Sequence, residues 1–258
     1  MKKITPIFLI FLVNLFSCSE DIDDKVSKSE ASITFNFSHN WDGNEVTNAD
    51  FNTIKFINAN NDQLSIERLR YLISKITFTR NNNEKFILNG YNLVDVTNNE
   101  NLSFTPTNSI PAGTYNNVAF TFGFNNEDNS NNYADLNSAS WFVPEMLGGG
   151  YHYMQLDGKF INNADKEQGF NYHSIRAVAN PGPNPTFPQD TFFEVSLGEV
   201  TVFNDTTFNI EMNIAEWFKT PNNWNLNELN QMLMPNANAQ IMIFKNGQNV
   251  FSLESVKQ

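Results

Sequence analysis

Cysteine and histidine are scarce in this sequence, whose 258 residues include one cysteine and three histidines. A lone cysteine cannot form an internal disulfide, and it also excludes zinc sites that need several cysteines. Complete catalytic motifs are missing too, since the chain has no G-x-S-x-G, no H-E-x-x-H and no P-loop. These absences favour a binding protein over an enzyme.

Basic residues are few as well, with 16 lysines and arginines against 28 acidic residues and a formal net charge of -12. Nucleic acid is excluded as a partner, because a phosphate backbone requires a basic face. The segment EDNSNN is rich in oxygen ligands for calcium but lacks the EF-hand pattern. Several carboxylates could be paired as in a glycosidase, but solvated loop charges explain them better: Asp42, Glu45, Asp50, Glu145 and Asp157.

No apolar run is long enough to span a bilayer as a stable helix. The run at residues 4–16 is short, is interrupted by polar residues and follows Lys2 and Lys3, a layout typical of a secretory signal. It ends in LFSC, which resembles a bacterial lipobox with Cys18 as the acylated residue. An incidental thiol is the alternative. Loss of the two lysines with the signal would change the formal charge from -12 to -14.

These features predict a lipoprotein signal peptide over residues 1–17, an acidic linker over 18–31 and a single β domain over 32–258. The acidic SEDIDD after Cys18 resembles the tag that directs Bacteroidota lipoproteins to the cell surface, although a solvated linker has the same composition. The expected location is therefore the outer membrane, with the domain facing the periplasm or the cell surface. Acyl chains would supply the anchor.

Period-two alternation of apolar residues predicts an antiparallel β-sandwich with long loops and one short helix. Residues 32–41 alternate clearly, with Ile33, Phe35 and Phe37 on one face. The inside of the sandwich is predicted to hold Phe35, Phe37, Val118, Phe120, Phe122, Leu156 and Phe160. Further strands are predicted at 53–57, 64–79, 85–96, 114–124, 151–161, 192–197, 207–218 and 240–253, and the helix at 225–233.

Strand parity places the histidines beside apolar rows. His39 continues the face of Phe35 and Phe37, and His152 shares the face of Met154 and Leu156. His39 and His152 could therefore meet at one rim of the sandwich, with His173 from NYHSIRA as a third member. Imidazole suits copper and zinc, so a shared metal site is one interpretation. Structural histidines that are simply hydrogen-bonded near the core edge are the other.

Seven segments, in this order, resemble the MbnP-like copper-binding family, named for a protein associated with the copper chelator methanobactin. The segments are FSHNWDG, LRYLISKITF, YNLVDV, IPAGTYNNVAFTFGF, GGGYHYMQLDGKF, NYHSIRA and FKNGQNVFSL. The resemblance implies a β-sandwich lipoprotein or secreted protein that binds copper through histidines. In some members a tryptophan that a di-haem partner has oxidised to kynurenine is also a copper ligand. Trp141 is the matching tryptophan here. It lies farther from Gly150 than the corresponding residue does in tryptophan-rich members.

The resulting expectation is a non-enzymatic, membrane-anchored copper protein with His39, His152 and His173 as ligands. Met146 and Met154 are candidate weak ligands, and Trp141 is a candidate for modification. Binding should weaken below the ordinary histidine pKa, about 6.5, because copper needs neutral imidazole. A di-haem peroxidase-like protein or a TonB-dependent receptor is the expected partner. The alternative function is a surface lipoprotein that binds a sugar or peptide.

Overall fold

The structure, a computed structural model, describes residues 29–258. The predicted signal peptide, Cys18 and most of the acidic linker lie outside this range. Within it, no helix is both long enough and apolar enough to cross a membrane.

The described residues form mainly strands, which we number in chain order. They are β1 Glu30–Ala31, β2 Ile33–Trp41, β3 Asn44–Glu45, β4 Phe56–Ile57, β5 Gln63–Leu64, β6 Arg68–Thr79, β7 Lys85–Asp95, β8 Ser103–Phe104, β9 Ile110–Pro111, β10 Gly113–Phe122, β11 Met154–Ile161, β12 Glu167–Ser174, β13 Phe193–Val202, β14 Thr206–Asn213 and β15 Phe251–Lys257. The α-helices are α1 Ala134–Ser138 and α2 Ala237–Gly247, and short 3-10 turns cover Asn48–Asp50, Asp128–Ser130, Glu145–Leu147 and Ile214–Phe218.

Two sheets face each other and confirm the predicted all-β sandwich. The eight-stranded sheet has the order β13-β10-β6-β11-β5-β4, with β7 paired to β6 and β12 paired to β11. The five-stranded sheet has the order β15-β14-β2-β3, with β8 paired to β2, while β1 and β9 form a small sheet of their own. Pairing is antiparallel except between β14 and β2, which run parallel.

Aromatic side chains join the two sheets. Phe37 of the five-stranded sheet packs edge-on against Phe120 of the eight-stranded sheet, with ring centroids 6.3 Å apart. Phe78 and Phe208 make a similar contact at 5.8 Å. All seven side chains predicted to lie in the core are buried, and Phe120 is 0% exposed. Burial of this aromatic layer is the main source of stability for such a sandwich.

The predicted helix at 225–233 is wrong, because this segment forms turns. Its asparagines bond locally instead: Asn227 donates its backbone N–H to Asn225 Oδ1 at 3.0 Å. The helix forms at Ala237–Gly247, where Asn236 Oδ1 caps the first turn by accepting from the N–H of Ala239. The predicted strand at 240–253 is consequently a helix followed by β15.

Other strand boundaries also differ from the prediction. The strand predicted over 207–218 ends at Asn213, where the 3-10 turn Ile214–Phe218 begins. The prediction missed β12 entirely, although this strand carries His173. Only two residues of β12, Phe170 and Tyr172, alternate as buried apolar side chains before Ser174, so its pattern is short and easily overlooked.

Candidate metal centre

A polar patch lies on the outer face of the eight-stranded sheet, where β6, β11 and β12 run side by side. In one cross-strand row Gln155 pairs with Arg70 on one side and His173 on the other. In the next, Asp157 pairs with Arg68 and Asn171. Residues directly opposite on neighbouring strands share a face, so each row presents its side chains together.

His152 reaches this patch from the loop that precedes β11. Three glycines in the left-handed region, Gly148 to Gly150 with φ of 92°, 66° and 77°, lead into it. At Gly150 a β-carbon would lie 2.5 Å from Nδ2 of Asn129, so the tight approach itself requires glycine. Asn129 Oδ1 then accepts from the N–H of Tyr151 at 2.9 Å. The loop therefore positions the residue just before His152.

The carbonyl of Trp141 fixes the tautomer of His152. It accepts from the backbone N–H of His152 at 3.0 Å and lies 2.9 Å from ring atom Nδ1. Since a carbonyl oxygen can only accept, Nδ1 must carry the proton. The other ring nitrogen, Nε2, then holds a lone pair. This atom is buried, and no described residue hydrogen-bonds to it.

Burial keeps the His152 ring neutral. It is the main reason why the pKa of His152 falls from 6.5 to about 4, and the nearby His173 contributes to this decrease. At neutral pH the ring therefore presents a lone pair in a site where water has little access. A buried acceptor without a partner is uncommon in native proteins and calls for an explanation.

His173 is oriented by a carboxylate. Its Nε2 lies 2.7 Å from Asp157 Oδ1. Burial raises the pKa of Asp157, but hydrogen bonds from His173 and Asn171 and the charge of Arg68 outweigh that effect and bring it down to about 2. The ionised carboxylate only accepts, so Nε2 of His173 donates and, in the neutral ring, Nδ1 keeps the lone pair.

The two histidine rings are neighbours. The centroids of His152 and His173 lie 5.3 Å apart with an angle of 83° between the planes. Nitrogen ligands bind copper or zinc at about 2 Å, so one ion between the rings is sterically reasonable. The ring nitrogens that keep a lone pair are Nε2 of His152 and, with Nε2 of His173 donating to Asp157, Nδ1 of His173. This donor set fits copper, which accepts low coordination by imidazole.

Trp141 packs against His152 with ring centroids 5.7 Å apart. The guanidinium of Arg70 lies over the indole, 5.1 Å from its centroid. The oxidation of tryptophan to kynurenine in some family members would require Trp141 to lie near the histidines and to be exposed to an electron-transfer partner. Trp141 does lie beside His152, but its side chain is 0% exposed, because it packs in a small core with Leu72 and Tyr151. Its Nε1 is buried, and none of the described residues accepts a hydrogen bond from it.

His39 does not join the other two histidines. As parity predicted, it follows Phe37 on the inner face of β2, where it is 4% exposed and shares a 3.0 Å hydrogen bond with Tyr71. Parity was wrong for His152, which lies before the first residue of β11 and packs with Trp141 and His173 rather than with Met154. Regular alternation applies only inside a strand, and the chain is irregular at 152–153.

The two candidate methionines are not placed as ligands either. Met154 is 0% exposed and pairs with Tyr71 and Ser174, so it lies on the face opposite Gln155 and His173. Met146 is 59% exposed on the 3-10 turn Glu145–Leu147. In residues 29–258 no group of three or more histidine, cysteine or acidic side chains is placed to hold a metal ion.

Asp157 was interpreted from the sequence as a solvated loop charge, which is wrong, since it lies within β11 and is 8% exposed. The sequence pattern could have placed Asp157 correctly. Gln155 and Asp157 alternate with the apolar Met154 and Leu156, which predicts a strand with both polar side chains on one face. Arg68 and Arg70 have the same spacing in β6. Only the pairing of the three strands showed that these residues surround His173.

The sequence profile of the MbnP family matches residues 30–239. The chain belongs to the MbnP family. A solved structure, MbnP from Methylosinus trichosporium, is similar to this chain at 11% identity and a TM-score of 0.45, covering 70% of this chain and 76% of that one. No curated protein matches the chain. Membership of the MbnP family associates the chain with methanobactin-related copper handling.

Proposed function

We propose that this protein binds a copper ion between His152 and His173. The observation that carries the proposal is the buried Nε2 of His152, a lone pair that no described residue engages. The Trp141 carbonyl holds the ring so that this atom, and not Nδ1, is free. Metal coordination would satisfy it, and the association of the MbnP family with copper handling supports copper as the metal.

The surrounding residues act on the ligands rather than on the ion. Asp157 holds His173 through Nε2, as carboxylates do for many metal-binding histidines, and Arg68 and Asn171 hold Asp157. Both oxygen atoms of this carboxylate are thereby engaged. A pair of imidazole ligands with little competition from carboxylates favours Cu(I) over harder cations.

The cellular setting remains part of the proposal. We infer that lipidation of Cys18 anchors the protein to the outer membrane and that the domain works there without catalysis, as a copper-acquiring or copper-handling protein. A di-haem peroxidase-like protein or a TonB-dependent receptor would be its partner. The lipobox-like LFSC supports the anchor, and the absence of a complete catalytic motif in the sequence favours binding.

Copper binding is tested with purified domain and Cu(I) under anaerobic conditions, in competition with a chromophoric Cu(I) chelator. The wild type should withdraw one ion per chain, and His152→Ala and His173→Ala should each lose this ability. His39→Gln is the matched control, because His39 is also a buried histidine but belongs to the five-stranded sheet, where it is hydrogen-bonded to Tyr71. Far-UV circular dichroism checks that all variants fold. Unchanged copper binding by both alanine variants would contradict the proposal.

A polar cavity supports the second function considered from the sequence, binding of a sugar. It has a volume of ≈ 550 Å³ beside the glycine loop and includes Phe142, which is 54% exposed. Amide side chains and an exposed aromatic ring are suited to sugar hydroxyls and a sugar face. The amides around it belong to Asn126, Asn129, Asn131, Asn132 and Asn137. Calorimetry with oligosaccharides, with Phe142→Ala as the variant, would detect such binding.

A further inference from the structure

A second cavity opens on the side of His173 that faces the 231–235 loop. Its volume is ≈ 320 Å³, and its wall combines the imidazole of His173 with two methionines, Met232 and Met234. The other residues around it are neutral: Asn171, Gln231, Leu233 and Pro235. A site with one imidazole, two thioethers and no carboxylate in its wall favours a soft cation.

Hydrogen bonds hold this loop against the strand that carries His173. The backbone N–H of Asn171 donates to the carbonyl of Asn230 at 2.8 Å. Gln240 is 0% exposed, and its Nε2 donates both to the carbonyl of His173 at 2.8 Å and to that of Leu233 at 3.1 Å. One buried amide thus ties the residue between the two methionines directly to His173. The methionine loop has a defined position beside the candidate metal centre.

Packing does not explain why position 232 is a methionine. Its side chain is 76% exposed, the largest value among the exposed large hydrophobic residues of the described chain. Its backbone also has φ of 57°, in the left-handed region where glycine or asparagine is the usual residue. Met234, two residues on, is partly buried against the small core of Val143 and Ile175. The loop therefore exposes one thioether and holds the other near the wall of the cavity.

We propose that Met232, Met234 and His173 form an entry site that receives Cu(I) at the surface and passes it to the buried centre. His173 would be shared between the two sites, since its ring borders the cavity and also lies 5.3 Å, centroid to centroid, from His152. Thioethers bind Cu(I) weakly enough to release it, whereas the two imidazoles retain it. Passage to the buried centre rests on the function proposed above; binding of a soft cation by the methionines does not.

The entry site is tested first with Ag(I) alone, a redox-inert substitute for Cu(I). Protein labelled with ¹³C at the methionine ε-methyl groups should show shifted signals for Met232 and Met234 on addition of Ag(I). Met146 is the matched control, because it is also exposed, at 59%, but is not part of the wall of this cavity. The two shifts should persist in His152→Ala, which removes the buried centre but leaves the cavity intact.

The transfer step is tested with Met232→Leu/Met234→Leu, which removes both sulfur atoms at nearly constant volume. Uptake of Cu(I) from a chelated donor should slow by at least about tenfold, whereas the equilibrium affinity should change by less than about threefold. Met146→Leu should load at the wild-type rate. Absence of the Ag(I) shifts, or wild-type loading by the double variant, would overturn the entry site while leaving copper binding by His152 and His173 intact. The opposite outcome is also distinguishable. Ag(I) shifts of Met232 and Met234 would support the methionine site, and normal copper binding by His152→Ala would refute the buried one.

Discussion

Acid should destabilise this protein through its buried histidines, and His39 offers the clearest measurement. Burial lowers the pKa of His39 from 6.5 to about 4. The folded state therefore binds the proton less readily than the unfolded state does. The contribution of His39 to the free energy of unfolding is fully present above pH 6.5 and is lost as the pH falls toward 4. The difference between the two pKa values corresponds to about 3 kcal/mol, most of which is lost by pH 4.5.

The perturbation is His39→Gln, which keeps a polar partner for Tyr71 but cannot take up a proton in this range. Urea unfolding of metal-free protein at pH 7 and pH 4.5, followed by tryptophan fluorescence, gives the free energy at each pH. The variant should lose about 2–3 kcal/mol less than the wild type between these values. Tyr71→Phe is the control, because it removes the 3.0 Å hydrogen bond but leaves His39 buried and the acid sensitivity in place. Equal losses in His39→Gln and wild type would refute the reasoning.

The remaining predictions concern the core, the metal ligands, the tryptophan and the anchor. Phe120→Ala should lower the free energy of unfolding by about 3–5 kcal/mol in urea titrations, because the ring is 0% exposed between the sheets; a loss below about 1 kcal/mol would be inconsistent with that packing. Asp157→Asn should weaken copper binding by about 10–100-fold in chelator competition, since the carboxylate orients His173; unchanged affinity would exclude that role. Peptide mass spectrometry of native protein should find Trp141 unmodified, as expected for a fully buried indole under Arg70, and a kynurenine mass would contradict this. Cys18→Ser should release the protein from the membrane fraction, and continued membrane association with unchanged processing would rule out the lipid anchor.

The fold class and much of the core could be predicted from local pattern. Alternation in β2 placed Phe35, Phe37 and His39 on one inner face, and all three are buried. Such predictions succeed because a strand that is buried on one face must repeat its apolar residues with period two. They failed at 225–233, where asparagine side chains compete for backbone hydrogen bonds, and at 237–247, where the buried residues of a helix were interpreted as strand.

The metal centre depended on tertiary structure. Sequence patterns selected all three histidines but could not show which two meet, because His152 and His173 are brought together by the pairing of β11 with β12 and by the irregular chain before β11. The tautomer of His152 is set by the Trp141 carbonyl eleven positions earlier, and Asp157 reaches His173 only across a strand pair. Hydrophobic periodicity records which face of a strand is buried, whereas contacts between strands depend on register and topology. Local sequence therefore specifies the layers of the sandwich, and long-range pairing decides where its polar side chains converge.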